Sequence, residues 1–299
     1  MATRLLITGA NGQLGRELLR RGARRGFATV GRARAELDIT DRAAIAKAVD
    51  GAEADLVVNA AAYTAVDQAE SEPERAFAVN ATGPRLLAQV CAERGLPLIH
   101  VSTDYVFDGT KAGGYVEDDP VAPLGVYGAS KEAGERAIRE ELEEHVILRT
   151  AWVYSSHSRN FVLTMLQLAE KQDVLRIVGD QYGSPTAAGD LAEAILTVVG
   201  RLDEGPKFGT YHYAGAGRTN WAGFAEAVME LCLPPGRPVP AVVPITSAEF
   251  PRPAKRPANS VLLCDRIART FQIEPRPWRE ALAEVGEEIR AAAATAARS

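Results

Sequence analysis

Short continuous apolar runs alternate with amphipathic stretches through the first half of the chain. Arg4-Leu-Leu-Ile-Thr8, Phe27 to Val30, Asp55-Leu-Val-Val-Asn59, Leu96 to Ser102 and His145-Val-Ile-Leu-Arg149 are too short for core helices and read as strands. Gly12 to Arg25, Asp41 to Val49, Pro73 to Arg94 and Tyr127 to Glu144 read as the helices between them. Strands without polar alternation are buried on both faces, so the pattern predicts an α/β fold: a doubly wound parallel sheet covered by helices on either side. After Thr150 the pattern loosens. Phe161 to Lys171, Ala187 to Leu202 and Ala222 to Leu231 are expected helices, and Gly209 to Ala214 an expected strand. Pro234 to Pro257 is proline-rich and reads as a surface loop, while the alanine-rich Ala291 to Ser299 reads as a fraying helix end.

Composition narrows the function classes. A hydrophobic share of 46% and a charged share of 24% over 299 residues are ordinary for a soluble globule with a large core. The net charge of −5 is spread without long runs, which argues against a nucleic-acid partner and against a membrane-surface helix. No apolar run approaches the roughly 18–20 residues that span a bilayer. The N-terminus enters a strand-like stretch directly, with no leader pattern, so a cytoplasmic location is expected. Cys91, Cys232 and Cys264 are odd in number and far apart, and His100, His145, His157 and His212 lack ligand spacing, so no metal site is expected.

The first chemical signal stands between the first strand and the first helix. Thr8-Gly-Ala-Asn-Gly-Gln-Leu-Gly15 is a G-x-x-G-x-x-G loop in the position of a dinucleotide-binding fingerprint. Gly9 permits the tight turn, Gly12 lets backbone approach a pyrophosphate, and Gly15 allows close helix–sheet packing. The helix N-terminus offers free N–H groups to the anion. Gly9, Asn11, Gly12, Gln13, Leu14 and Gly15 are therefore expected to bind the cofactor. The second strand ends Val30-Gly-Arg-Ala-Arg34 with no acid to hold a ribose 2′-hydroxyl. Arg32 at that end suits a 2′-phosphate, favouring NADPH over NADH, and Asp38 with Ile39 is placed to flank the adenine.

The second signal is Tyr127 and Lys131, four residues apart at a helix start and so on one face. An ammonium beside a phenol favours phenolate and lowers the phenol's pKa. Val101-Ser-Thr-Asp-Tyr-Val-Phe-Asp-Gly109 precedes the pair at the end of the fourth strand. With the glycine loop, these runs make the chain resemble the extended short-chain dehydrogenase/reductases, and within them the dTDP-4-dehydrorhamnose reductase family. The resemblance covers nearly the whole chain, including Asn59 to Asp67, Arg149-Thr-Ala-Trp-Val-Tyr154, Asp180-Gln-Tyr-Gly-Ser-Pro-Thr186 and Arg256-Pro-Ala-Asn-Ser260.

The resemblance implies a Rossmann-type dinucleotide-binding domain over residues 1–150, to which the chain returns after about residue 178, and a smaller α/β substrate lobe over 151–299. It implies that Tyr127 donates a proton to the substrate carbonyl, that Lys131 lowers its pKa and holds the nicotinamide ribose, and that Thr103 hydrogen-bonds the reacting oxygen. Ala62, Tyr63 and Thr64 would line the nicotinamide side. Thr103, Asp104 and Trp152 would meet a dTDP-sugar, with Asn160, Gln181 and Arg256 touching its nucleotide. The assembly expected is a monomer or homodimer. Two alternatives share the fold: an epimerase or dehydratase of nucleotide sugars that keeps NAD tightly bound, and a non-catalytic nucleotide-binding subunit like the regulatory subunit of methionine adenosyltransferase. Tyr105 directly after Asp104 lacks the acidic pair a dehydratase would carry, and intact Tyr127 and Lys131 argue against the regulatory reading.

Overall fold

The computed structural model describes residues 2–202, 205 and 207–296. Its centre is a six-stranded, wholly parallel sheet. The first five strands are β1 (Arg4–Thr8), β2 (Ala28–Arg32), β3 (Leu56–Asn59), β4 (Leu98–Thr103) and β5 (His145–Thr150). They are joined by helices α1 (Gln13–Arg24), α2 (Arg42–Ala52), α3 (Val66–Ala69), α4 (Pro73–Phe77), α5 (Gly83–Arg94) and α6 (Val126–Glu141). The predicted long helix over 73–94 is broken by a π-turn at Ala78–Thr82 between α4 and α5.

Beyond β5 come β6 (Val153–Tyr154), α7 (Phe161–Ala169), β7 (Val174–Val178), β8 (Tyr182–Gly183), β9 (Thr186–Ala187), α8 (Ala188–Val199) and β10 (Gly209–His212). The remaining elements are β11 (Thr219–Asn220), α9 (Trp221–Cys232), β12 (Ala241–Ile245), α10 (Asp265–Phe271) and α11 (Trp278–Ala296). The main sheet runs β10-β5-β4-β3-β1-β2. The proline-rich stretch, read as loop, contains β12, which pairs in parallel with β7. Pro244 is tolerated there because both strands of the ribbon are edges, and alternate residues, Ala241 and Ile245 among them, make the bonds to β7 while position 244 points away. The end of the alanine-rich tail, residues 297–299, lies outside the described residues.

Strand periodicity divides the interior into layers. Leu5, Ile7, Val58, Ile99 and Leu148 point to one face, where α1, α8 and α10 cover them. Leu6, Val57, Leu98 and Ile147 point to the other, beneath α2, α5 and α6. Successive residues of a strand face opposite sides, so apolar runs of this kind serve two cores at once. Each fully buried Leu, Ile or Val stabilises the fold by about 1.5–3 kcal/mol relative to exposure. A third core, built from Tyr154, Met165, Phe224, Trp278 and their neighbours on α7, α9 and α11, makes the second lobe. α8 and α10 pack on the first of these cores, and β10 pairs in parallel with β5.

β1 is flanked by β2 on one side and β3 on the other, so the chain leaves β1 in opposite directions. That reversal opens a crevice at the carboxyl ends of β1 and β3, where α/β sheets bind ligands.

Candidate active site

The crevice is the mouth of a cleft of about 710 Å³. Gly9, Asn11, Gly12, Gln13 and Leu14 form one wall. Gly9 holds φ at +67°, and a Cβ there would stand 2.7 Å from the Ala60 carbonyl oxygen. Gly15 does not line the cleft; its Cβ would lie 2.3 Å from the Gly9 oxygen, so it is the contact that lets α1 sit on its own loop. No side chain caps α1 and no acid lies in its first turn, which leaves its first N–H groups open to an anion. This arrangement fits a pyrophosphate. Gln13 ties the wall to the second lobe: its Nε2 donates to the Val153 oxygen at 3.3 Å, and its Oε1 accepts from Ser155 Oγ at 2.9 Å.

Farther along, Asp38, Ile39 and Thr40 line the cleft. The Asp38 carboxylate accepts from the Thr40 N–H and hydroxyl, which hold its pKa below the usual range. Arg34 lines this part of the cleft, whereas Arg32, the residue expected at the 2′-phosphate, does not. Arg32 Nη1 instead donates to the Gly31 oxygen at 3.1 Å. Strand β2 still runs through Arg32, and the chain turns toward the cleft only after it. Ala62, Tyr63 and Thr64 line the opposite wall. Asn80, in the π-turn, fixes that wall: it accepts from the Tyr63 N–H at 2.8 Å and donates to the Tyr63 oxygen and to Ser130 Oγ. A π-turn projects one side chain off the helical register, a device common at functional sites.

Thr103, Asp104, Tyr127 and Lys131 meet at the inner end. Glu70 brings α6 into place by accepting from the Val126 N–H at 2.8 Å, and the Tyr105 and Tyr127 rings meet edge to face at 5.8 Å. Gly128 lets α6 approach this closely, since a Cβ would fall 2.1 Å from the Tyr105 oxygen. Thr103 Oγ1 donates to Asp104 Oδ1 at 3.0 Å and accepts from the Tyr105 N–H at 3.2 Å. Burial raises the Asp104 pKa to about 6, with Thr103 pulling the other way. Thr150 Oγ1 also lines this end and has no hydrogen-bond partner, although it is buried. A buried hydroxyl of this kind is satisfied by a ligand or water.

The expected lowering of the Tyr127 pKa is not what the structure shows. Burial pushes the phenol up to about 12, opposed by Thr103 and reinforced by Asp104. The protonated phenol makes no hydrogen bond to Lys131, whose Nζ donates to the Val101 oxygen at 2.7 Å and lies 3.1 Å from His100 Nε2. Burial lowers Lys131 itself to about 8, while Glu135 one turn on pulls upward. Burial also pushes Glu135 up, but the guanidinium of Arg149, bound at 2.7 Å, outweighs it and keeps the carboxyl below its usual range.

Trp152 lines the cleft in a left-handed backbone conformation, φ +47°, which costs a non-glycine residue about 1–3 kcal/mol. Its ring is held by a parallel stack on Trp221 at 3.5 Å. Three expected nucleotide contacts sit elsewhere. Asn160 caps α7, accepting from the Leu163 N–H at 3.2 Å, and its amide donates to loop carbonyls. Gln181 donates to Ser247 Oγ at 2.9 Å. Nη1 and Nη2 of Arg256 both donate to Asp67, at 2.9 and 3.0 Å, so the fork that would take a diphosphate is occupied by a carboxylate. Arg34, Arg75 and Arg159 also line the cleft. Of these, Arg34 alone stands in a stretch the sequence singled out, Val30 to Arg34.

Comparison with known proteins gives a consistent picture. The family model described as RmlD substrate binding domain matches residues 3–291. The dTDP-4-dehydrorhamnose reductase of Sinorhizobium fredii (strain NBRC 101917 / NGR234) is 44% identical, over 93% of this chain and 94% of its own. Among solved structures, a dTDP-4-dehydrorhamnose reductase from Clostridium acetobutylicum ATCC 824 superposes with a TM-score of 0.90 at 37% identity, covering 96% of this chain and 99% of that one. The dTDP-4-dehydrorhamnose reductase of Bacillus anthracis str. Ames in complex with NADP gives 0.89 at 34% identity, covering 96% and 100%.

Proposed function

This chain belongs to the RmlD substrate binding domain family, and we propose that it reduces the C4 ketone of dTDP-4-dehydro-6-deoxy-L-mannose to give dTDP-L-rhamnose, with NADPH as reductant. The observation that carries this reading is the meeting of Thr103, a protonated Tyr127 and Lys131 at the inner end of a cleft whose outer wall is an uncapped glycine loop. Bound NADPH supplies a hydride to C4.

As the carbonyl π-bond breaks, negative charge gathers on its oxygen, and a positioned acid lowers the barrier. Tyr127, with its pKa near 12, holds its proton across the physiological range, yet an alkoxide is basic enough to take it. Thr103 turns its hydroxyl from Asp104 to the substrate oxygen, and Lys131 offsets the charge of the phenolate until solvent restores its proton. Arg34 is the better-placed residue for a 2′-phosphate, with Arg32 behind it on the strand. Trp152 offers an aromatic face to the sugar or base. The cytoplasm is the proposed compartment, in keeping with three unpaired cysteines. Among the described residues no helix is long and apolar enough to cross a membrane.

Purified protein should oxidise NADPH in the presence of the keto sugar and release dTDP-L-rhamnose, followed by absorbance and product chromatography. Binding of the sugar with no NADPH oxidation would reject the assignment. Stoichiometric NAD retained through purification would instead favour the epimerase reading.

A further inference from the structure

Arg159, in the loop between β6 and α7, is a cation of the cleft that the proposed reaction does not use. It lines the cleft, is exposed, and has no hydrogen-bond or ion-pair partner among the described residues. The neighbouring arginines of the cleft have other places. Arg75 is held by Glu72 at 3.0 Å, and Arg34 belongs to the adenine end with Asp38 and Ile39.

Bonds on two sides fix the loop that carries it. Within the loop, Asn160 Nδ2 donates to the backbone oxygens of Ser155, His157 and Ser158, at 2.9, 3.3 and 3.1 Å. They brace Ser158 at φ +60°, a left-handed conformation that turns the chain directly before Arg159. Toward the glycine loop, the tie is to Gln13, the residue that opens α1. His157 Nε2 donates to the Gln13 backbone oxygen at 3.2 Å, and Ser155 Oγ donates to Gln13 Oε1 at 2.9 Å. Arg159 thus follows two contacts to the helix start whose N–H groups are open to an anion.

A dinucleotide pyrophosphate is negative on both phosphates, and the glycine wall meets it with backbone dipoles alone. Arg16, the basic residue in the first turn of α1, donates to the Asn11 oxygen at 3.2 Å and does not line the cleft. A guanidinium supplies what is lacking, a full charge and a planar pair of donors. We propose that Arg159 binds the pyrophosphate of the nicotinamide cofactor, completing from the β6–α7 loop a site whose other half is the glycine loop. The diphosphate of a sugar nucleotide has the same chemistry. The cofactor is favoured because the loop is bonded to Gln13, on the wall where the cofactor's pyrophosphate fits.

The inference rests on the reading of the cleft as a nicotinamide-dinucleotide site, and binding tests it apart from turnover. Arg159 is exposed, so Arg159→Ala should melt as wild type does. Its Kd for NADPH at low salt should rise about tenfold, the lower end for a hydrogen bond to a charged group. NADH and ADP-ribose carry the same pyrophosphate and should weaken by the same factor. Arg159→Lys, with the charge but not the fork, should recover part of the loss. Binding of dTDP should be the same in wild type and variant. A loss confined to dTDP would give the residue to the sugar nucleotide and overturn the proposal. A loss for NADPH with NADH unchanged would move it to the 2′-phosphate and overturn the proposal too, as would unchanged affinity for all three cofactor ligands. Failure of the reductase reading would appear separately, as wild-type protein that binds NADPH but does not oxidise it with the keto sugar.

Discussion

Alanine substitution at Gly12 and at Gly9 should separate cofactor binding from folding within one loop. Gly12 has an extended backbone, φ −74° and ψ 172°, which alanine adopts without strain. Its new Cβ would meet only the Gly9 oxygen, at 3.2 Å. Stiffening the unfolded chain gains about 0.4–1 kcal/mol, and that tight contact offsets it, so the melting temperature should hardly move. The methyl nevertheless occupies the wall that a pyrophosphate must approach. Overpacking of this size costs about 1–3 kcal/mol, which at 1.4 kcal/mol per decade weakens NADPH about 5- to 150-fold.

Gly9 differs on every count. Alanine at φ +67° costs about 1–2 kcal/mol in backbone strain. Its Cβ would also lie 2.7 to 2.8 Å from backbone atoms of Ala60 and Ala61, at the end of β3, which cannot step aside singly. Gly9→Ala should therefore lose several kcal/mol, at about 2–4 °C in Tm per kcal/mol for a chain of this class. Thermal melts with and without NADPH, together with fluorescence titration of the cofactor, read both quantities. Gly12→Ala that melts as early as Gly9→Ala, or that binds NADPH at the wild-type Kd, would refute the division of roles.

Tyr127→Phe should lower kcat by roughly 10²–10⁴-fold with NADPH affinity unchanged, measured by steady-state kinetics and cofactor titration. Arg34→Ala should raise the KM for NADPH more than that for NADH, whereas Arg32→Ala should leave the ratio near wild type; the reverse order would return the 2′-phosphate to Arg32. Glu135→Gln leaves Arg149 buried without its counter-charge and should cost about 3–5 kcal/mol in denaturant melts. The pH dependence has a definite sign. The folded Glu135 carboxyl lies below its ordinary 4.5, so its contribution is complete above that value and disappears as pH falls through the folded pKa. Wild type should accordingly lose more stability than Glu135→Gln on acidification below about pH 4.5.

The sequence by itself determined what depends on local geometry. Short continuous apolar runs and 3.6-residue spacing marked five strands and the longer helices between them to within a few residues, because a doubly buried strand or an amphipathic helix needs only its own apolar pattern. The glycine loop was readable because a strand, a turn and a helix N-terminus follow one another in the chain. Asn160 could have been recognised from Asn directly before an apolar helix, the mark of a cap.

Tertiary structure alone decided the interactions between distant segments. Arg256 is closed by Asp67, 189 residues away, and β12 forms only because β7 lies beside it. The face that Lys131 presents is the clearest case. Its spacing places it beside Tyr127, yet in the folded chain Nζ turns to Val101 and His100 on β4, while burial sets the Tyr127 proton. Spacing fixes which residues share a helix face. Desolvation and partners from other strands fix their protonation, and those exist only once the sheet has closed over them.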